Sequence, residues 1–403
     1  MSDSALDAAG SSLPLSPPRT AAAPRAQSEA RADSAGKEHV IDAMRGFAAL
    51  LVAYFHCRQV EWVGMQAFHQ SVGHAFSLNA IAAYLTFPIA WGSAGVPIFF
   101  VISGYCIHRG GALRLAANPA YRLDMGNFWV RRFARIYPVL LAALVLTFAL
   151  DWFSLHLPPV NHKIREIGLQ AFLVNLFSLQ GVAGKTFGSN GALWTLSLEV
   201  QFYAIYPLLF ALRRRIGMTS VLAIVAAINV VSAYVLERHD IQFFTSYWFS
   251  WTLGAWIADA RARSAPQARL PVWLYALAAA FVALGCAAFH FGQYGAFQLW
   301  AIGFAFYLYK ALERGNAGRG PAFGMRVLSR LGDFSFSLYL IHLPIFVLLS
   351  SLLFRSSLQM SIWPSFGYML VAVPAAYVFY RLVELPAMKW SASFKPKAAL
   401  KQA

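Results

Sequence analysis

Apolar runs of about 20 residues recur along the chain and alternate with short polar segments. A helix of that length crosses a hydrocarbon core of about 30 Å. The short alternating segments typical of a transmembrane β-barrel are not seen. The pattern predicts an all-α fold, a polytopic membrane helix bundle of about ten spans, at about 39–58, 88–108, 128–153, 190–212, 217–236, 241–260, 271–290, 294–312, 333–353 and 363–388.

The Arg and Lys residues concentrate in alternate connections between these runs. The segments 109–135, 213–215, 261–269, 310–330 and 389–401 are rich in them, and the connections between these segments are poor. Short cytoplasmic loops carry an excess of positive charge. The alternation therefore predicts that both termini lie in the cytoplasm.

One apolar run, 166–182, has only about 12 strongly apolar residues, too few for a crossing. A crossing there would also invert every later loop. We expect a short re-entrant or interfacial helix on the outer side, and the connection 59–87 can hold another. Residues 1–36 are rich in Ala, Ser, Pro and Gly and predict a disordered tail. The membrane domain is expected at 37–390, followed by a short basic cytoplasmic tail at 391–403.

Composition agrees with a membrane protein. The 403 residues are 59% hydrophobic and 12% charged, against about 25% charged in soluble domains. The net charge of +16 lies in the short connections, so it predicts topology and a lipid bilayer as partner, not nucleic acid. Three cysteines without CxxC spacing indicate neither a disulfide framework nor a metal site. The oligomeric state stays open.

Charged and polar groups within spans are costly and usually line a cavity. In the first span, "VIDAMRGFAALLVAYFHC", Asp42, Arg45 and His56 follow helical spacing on one face. An acid–base pair would lie near the cytoplasm and an imidazole about 16 Å further along the axis. The alternative is a structural ion pair with His56 near the outer interface.

The stretch "NGALWTLSLEVQFYAIYPLLF" places Glu199 in an apolar span, with Tyr203 and Tyr206 on the same face. This span runs inward, so Glu199 reaches a depth similar to that of His56. We expect the two to meet, because a carboxylate can orient an imidazole and stabilise its cation. The alternative is a hydrogen bond between helices without chemistry.

The ninth span, "FSFSLYLIHLPIF", places Ser335, Tyr339 and His342 on one face. His342 lies about midway through the predicted crossing. A second histidine at this depth favours a polar cavity. The alternative is a histidine bonded to a carbonyl of a neighbouring helix.

The third span opens with "FWVRRFARIYP", in which Arg132 and Arg135 share a face near the cytoplasm. Two guanidiniums suit bidentate phosphate binding, although lipid headgroups would satisfy them equally well. Ser103 and Tyr105 lie near the same end of the second span.

Taken in order, these stretches resemble the membrane-bound acyltransferase family 3, the bacterial glycan O-acetyltransferases. The matching stretches are "IDAMRGFAALLVAYFH", "GVPIFFVISGYCI", "FWVRRFARIYP", "LWTLSLEVQFYAIYPLL", "FSFSLYLIHLPIF" and "RLVELPA". The resemblance implies transfer of an acyl group, usually acetyl, from cytoplasmic acetyl-CoA to a carbohydrate hydroxyl at the bacterial inner membrane. Neither the acceptor nor the acyl length can be read from the sequence.

The resemblance also implies roles for residues. Arg45 and His56 match the family's essential Arg and His, and Glu199 and His342 match its acidic and YLxHxP motifs. The catalytic group is then His56, Glu199 and Arg45. Donor binding falls to Arg132 and Arg135, which match the RxxR motif, and is extended to Ser103 and Tyr105. Substrate binding is assigned to Asp42, Tyr203, Tyr339 and His342.

Three positions depart from the family's usual pattern: Ala43, Val200 and Leu385. Glu384, which precedes the last of these, is expected to form a structural ion pair with Arg381 at i+3.

In the expected mechanism, His56 is the general base, Glu199 positions it, and Arg45 or a tyrosine stabilises the oxyanion. A transient acyl-His56 is equally compatible with the residues. A transporter or flippase for a lipid-linked sugar is the rival class, and a non-catalytic component of polysaccharide assembly is the third. Internal repeats would favour the transporter, and we find none that is convincing.

Overall fold

The structure, a computed structural model, describes residues 22–72, 76–263, 270–313 and 322–394. Within these ranges the chain is helical, which confirms the all-α prediction. The α-helices are α1 Ala22–Glu61, α2 Met65–Val72, α3 Leu78–Leu85, α4 Gly95–Ala117, α5 Met125–Leu155, α6 Leu169–Leu176, α7 Leu193–Ile216, α8 Met218–Leu236, α9 Trp248–Arg263, α10 Trp273–Ala288, α11 Gln293–Ala311, α12 Phe323–Asp333, α13 Ser335–Phe354, α14 Trp363–Phe379 and α15 Leu385–Ser393. Shorter helical segments join some of them: 3-10 helices at Phe87–Ala94, Glu237–His239 and Phe244–Ser246, and a π-helical turn at Tyr380–Glu384.

Seven helical stretches in the described ranges are long and apolar enough to cross a membrane, which confirms a multi-pass membrane protein. They are His39–Glu61, Leu78–Ala117, Met125–Leu155, Leu193–Ile216, Met218–Leu236, Ser335–Phe354 and Trp363–Ser393. Of the ten predicted spans, those at 241–260, 271–290 and 294–312 coincide with α9, α10 and α11, of 16, 16 and 19 residues. The count of ten and the orientation of the termini stay predictions.

The predicted tails are described only in part. Helix α1 begins at Ala22, inside the segment 1–36 for which a disordered tail is predicted. Residues 1–21 and 395–403 lie outside the described residues.

Short helices occupy the two connections where the sequence predicts them. Helix α6 has eight residues, about 12 Å of rise, so it cannot cross a bilayer. The helix exposes Leu169 and Leu173, and Phe177 directly after it is also exposed; such apolar side chains are expected of an interfacial helix. Helices α2 and α3 lie within the connection 59–87.

Contacts between connections distinguish the two ends of the bundle. The Ser356 hydroxyl donates to the Pro159 carbonyl at 3.1 Å, and the Val63 N–H donates to the Gln359 carbonyl at 3.2 Å. These contacts gather the connections after α1, α5 and α13 at one end, which we call the loop end. The opposite end holds the arginines near the start of α5 and at the end of α7, and we call it the basic end.

Glycines allow two close helix crossings. A Cβ added at Gly332 in α12 would overlap the Asp42 carbonyl oxygen of α1, and one added at Gly46 in α1 would overlap the Leu328 carbonyl oxygen of α12. Gly104 and Gly254 make the same kind of contact between α4 and α9. The first crossing holds the start of the α1 span, with Asp42 and Arg45, against α12.

Candidate active site

A cavity of about 360 Å³ lies between the basic end and the middle of the bundle, within the volume range of small-molecule sites. Helices α1, α4, α5, α7 and α13 supply most of its walls. Its charged lining residues are Asp42, Arg45, Arg132, Arg135, Glu199, Asp333 and Glu384.

Two of the arginines come from α5, whose first turn is capped by Asp124 accepting from the Asn127 N–H at 3.1 Å. The Arg132 guanidinium lies 5.7 Å from the ring of Phe128 and 6.0 Å from that of Tyr203. Among the described residues, neither Arg132 nor Arg135 forms a hydrogen bond or an ion pair with a carboxylate. Both guanidiniums are therefore available to an anion in the cavity.

The third arginine, Arg45, is held by its own helix and by α4. Its guanidinium lies 3.7 Å from the Asp42 carboxylate and donates to the Cys106 sulfur at 3.6 Å. Helix α1 is continuous from Arg45 to His56, so the two lie about 16 Å apart along the axis. Arg45 lines the cavity at the basic end. An acyl carbon in contact with His56 is therefore too far away to contact Arg45 as well.

Glu199 faces the cavity from α7. Its carboxylate accepts from the Ser103 hydroxyl at 3.1 Å and from the Tyr203 hydroxyl. The Trp251 indole N–H donates to Ser103 at 3.2 Å. The predicted neighbour Tyr203 is therefore confirmed, whereas Tyr206 lies beside His108, with its hydroxyl 3.2 Å from Nδ1.

The two predicted mid-membrane histidines are in direct contact. Nδ1 of His56 lies 2.8 Å from Nε2 of His342, and the rings stack with centroids 5.1 Å apart. Nδ1 of His342 lies 2.9 Å from the Leu338 carbonyl. Because a carbonyl only accepts, that Nδ1 carries the hydrogen, and Nε2 of a neutral His342 must accept from His56 Nδ1–H. Nε2 of His56 then keeps a free lone pair.

The predicted pairing of His56 with Glu199 is wrong in this structure. His56 contacts His342, and the carboxylate of Glu199 is bonded to Ser103 and Tyr203. The prediction compared the depths of two residues, but the rotation of α7 turns Glu199 toward α4. The position expected for a carboxylate beside the imidazole is occupied by a second imidazole.

Tyr339 separates the cavity from the histidine pair. It lines the cavity, and its ring lies 5.9 Å from that of His342. Its hydroxyl accepts from the Thr195 hydroxyl at 2.7 Å. Thr195 was missed by the sequence analysis, although it lies one turn before Glu199, on the same face of α7.

Tyr105, which is predicted to bind the donor, does not line the cavity. It is buried in a core cluster with Ile41 and Ile257, because it lies two positions beyond Ser103 and so points to another side of α4.

The expected ion pair between Arg381 and Glu384 is not formed. Arg381 donates to the Tyr377 hydroxyl at 3.2 Å. Glu384 is buried and accepts from the Ser337 N–H at 3.1 Å and from the Ser337 hydroxyl at 2.5 Å. The π-helical turn Tyr380–Glu384 changes the i+3 relationship that the prediction assumed.

Comparison with known proteins identifies the family of the chain. A family profile described as "Acyltransferase domain" matches residues 38–381. BcsY of Komagataeibacter xylinus, by its name a candidate membrane-bound transacylase, is 29% identical over 295 residues, covering 68% of this chain and 72% of BcsY. YrhL of Bacillus subtilis, by its name a candidate peptidoglycan O-acetyltransferase, is 30% identical over 172 residues, 40% of this chain and 26% of YrhL. The peptidoglycan O-acetyltransferase OatA of Listeria monocytogenes is 31% identical over 146 residues, 33% of this chain and 22% of OatA.

The chain belongs to this acyltransferase family and is a multi-pass membrane protein. It spans only about a quarter of the length of YrhL and OatA. No solved structure matches it.

Proposed function

We propose that the protein moves an acetyl or other short acyl group from cytoplasmic acyl-CoA to a hydroxyl of a cell-surface or secreted carbohydrate, across the inner membrane of a bacterium. The observation that carries this proposal is the free Nε2 of His56. This nitrogen lies between the arginine-lined cavity and the loop end. The arginines of that cavity suit a phosphorylated donor.

The donor side of the proposal rests on Arg132 and Arg135. Both line the cavity without a carboxylate partner among the described residues, and guanidiniums bind phosphate oxygens bidentately. A cavity of about 360 Å³ is large enough for the narrow arm of acyl-CoA, with the nucleotide left at the mouth. Arg45 adds positive charge deeper in the same cavity.

The chemistry of the proposal rests on the histidine pair. Nε2 of His56 takes the proton of the acceptor hydroxyl while its oxygen attacks the thioester carbon. The C–S bond then breaks, and His56 returns the proton to the departing thiolate, so atoms and charge balance. A positioned general base contributes about 10² to 10⁴ in rate. Tyr339, whose ring contacts His342, is better placed than Arg45 to stabilise the oxyanion.

The acceptor side of the proposal rests on the partial exposure of His56. Glycan acceptors lie outside the cytoplasm, and the positive-inside rule assigns the loop end to that side. The names of the relatives OatA and YrhL, which specify peptidoglycan O-acetylation, support a carbohydrate acceptor.

The test uses purified protein in liposomes, radiolabelled acetyl-CoA and a mixed oligosaccharide acceptor. We expect labelled oligosaccharide from the wild type and a loss of at least about 10² in rate for His56→Ala. The double variant Arg132→Gln/Arg135→Gln should raise KM for acetyl-CoA by about tenfold or more, because charge-assisted hydrogen bonds are lost.

The matched control for the arginines is Arg131→Gln. Arg131 lies in the same turn of α5 but is exposed and does not line the cavity, so KM for acetyl-CoA should not change. Unaltered acetylation by the His56 variant, or no label on any acceptor, would contradict the proposal. Label that stays on wild-type protein but not on His56→Ala would instead identify an acyl-His56 intermediate.

A further inference from the structure

A cationic segment at the loop end has no part in the mechanism above. It lies between α5 and α6 and contains Asn161, Lys163 and Arg165. The Lys163 side chain is partly buried, and its ammonium forms no hydrogen bond or ion pair with any residue in the described ranges. Partial burial removes some of the water around a lysine, and here no protein acceptor replaces it.

Asn161, two residues earlier, has an unused donor. Its side chain is 1% exposed, and its Oδ1 accepts from the Lys163 backbone N–H at 3.0 Å. Its Nδ2 has no acceptor, although buried amide groups are nearly always hydrogen-bonded. Among the described residues, the amide N–H groups of Asn161 and the ammonium of Lys163 therefore both lack an oxygen acceptor.

The surroundings add positive charge, and within the described ranges no carboxylate pairs with Lys163; Glu166, three residues later, is exposed. Arg165 donates to the Thr186 hydroxyl at 3.3 Å and keeps its charge. Burial, and then the charge of Arg165, lower the pKa of Lys163. An anion bound between these groups would reverse both effects.

This segment lies near the proposed base. The Ser356 contact to Pro159 holds the start of the connection against the end of α13, the helix that carries His342. Ile164 packs against the main core cluster. An acceptor that enters from the loop end to place its hydroxyl at His56 would pass this segment, which holds Lys163.

We propose that the acceptor carbohydrate carries an anionic group, a carboxylate or a phosphate, which the Lys163 ammonium binds together with the Asn161 amide. Lys163 is then a specificity-determining residue for the acyl transfer. This inference depends on the proposed function, because it assigns the substrate class of the same site.

The test compares an oligosaccharide containing uronic acid with the same oligosaccharide after reduction of its carboxyl groups to hydroxymethyl groups. A phosphorylated oligosaccharide forms a third arm, which distinguishes phosphate from carboxylate. Wild-type protein in liposomes with radiolabelled acetyl-CoA should show a KM about tenfold lower for one anionic form than for the neutral form, as expected for one charge-assisted hydrogen bond.

In Lys163→Gln this preference should disappear, through a higher KM for the anionic form and little change in kcat or in KM for the neutral form. Lys163→Arg should keep most of the preference. The matched control is Lys185→Gln, an exposed lysine in the same outer connection, which should behave as the wild type does.

The outcomes separate the inference from the function. Equal KM values for all acceptors in the wild type, with label transferred, would overturn the anionic acceptor and leave the acyltransferase intact. A Lys163→Gln variant that loses activity equally on anionic and neutral forms would also overturn it. If no acceptor is labelled at all, the proposed function fails and the inference fails with it.

Discussion

At the scale of single residues, the partner of His56 determines how the base can work. A carboxylate partner would hold a negative charge in the bundle before the reaction. A neutral His342 carries its hydrogen on Nδ1, against the Leu338 carbonyl, so its Nε2 can accept from His56 and adds no charge. The pair becomes charged only while His56 holds the acceptor's proton, and both rings can share that charge. The apolar bundle therefore holds no permanent charge at the base.

Removal of His342 should reduce catalysis without reducing donor binding. We expect His342→Ala to lower kcat by about 10²-fold, the lower end of what a positioned base contributes, with KM for acetyl-CoA nearly unchanged. Glu199→Gln is the comparison, because Glu199 lies in the arginine-lined cavity, the proposed donor site, beside Ser103 and Tyr203. It should raise KM for acetyl-CoA by about tenfold. Steady-state kinetics with both substrates varied would measure the two effects.

The opposite result is equally informative. If Glu199→Gln lowers kcat as His342→Ala does, and KM stays constant, then Glu199 acts on the base in a state different from this structure. Normal folding of each variant should be checked by size-exclusion chromatography, and His342→Gln, which keeps an acceptor near His56, should lose less activity than His342→Ala.

The sequence predicts which residues lie in the site better than it predicts their partners. Positions along a helix follow from a rise of about 1.5 Å per residue, so the depths of His56 and His342 could be compared without a structure. Their contact joins positions far apart in the chain and depends on helix rotation. The same limit explains Glu199: its neighbour Tyr203 follows from spacing within α7, but Ser103 on α4 does not.

At the scale of helices, α12 sets the position of the start of the first span. It is short and amphipathic, and it approaches α1 through Gly332 and Gly46. Asp42, whose carbonyl lies against Gly332, also forms the ion pair with Arg45 in the arginine-lined cavity. A shift of α12 would therefore move charged groups of the site. The sequence analysis placed α12 in the basic connection before the ninth span and did not predict a helix there, because Arg326 and Arg330 mark that segment as polar.

A methyl group at this crossing should destabilise the protein and weaken donor binding together. We expect Gly332→Ala to cost about 1–3 kcal/mol, the usual penalty for overpacking, since the added Cβ would overlap backbone atoms of α1. The melting temperature in detergent should fall, and KM for acetyl-CoA should rise. Gly324→Ala is the matched control in the same helix, because a Cβ there meets no atom within 4 Å. Equal melting temperatures for the two variants would show that the crossing is not tight.

At the scale of the whole molecule, the site has two different sides. The arginine-lined cavity lies toward the basic end, and the histidine pair, the proposed base, lies toward the loop end. Tyr339 and Thr195 lie between them. An acyl donor made in the cytoplasm and a glycan outside can meet in such a bundle only if the basic end faces inward. Orientation is therefore a condition of the mechanism, and the charge distribution of the connections predicts it.

Cysteine labelling in intact cells tests this orientation. Lys185 at the loop end and Arg214 at the basic end are both exposed, and each is replaced by Cys in turn. The unsubstituted protein gives the background from its own cysteines, of which Cys57 is buried and Cys106 and Cys286 are partly buried. A membrane-impermeant maleimide should label Lys185→Cys from outside and label Arg214→Cys only after permeabilisation. The reverse pattern would show that the arginine-lined cavity faces the outside of the cell, away from cytoplasmic acyl-CoA. That result would contradict the proposed mechanism.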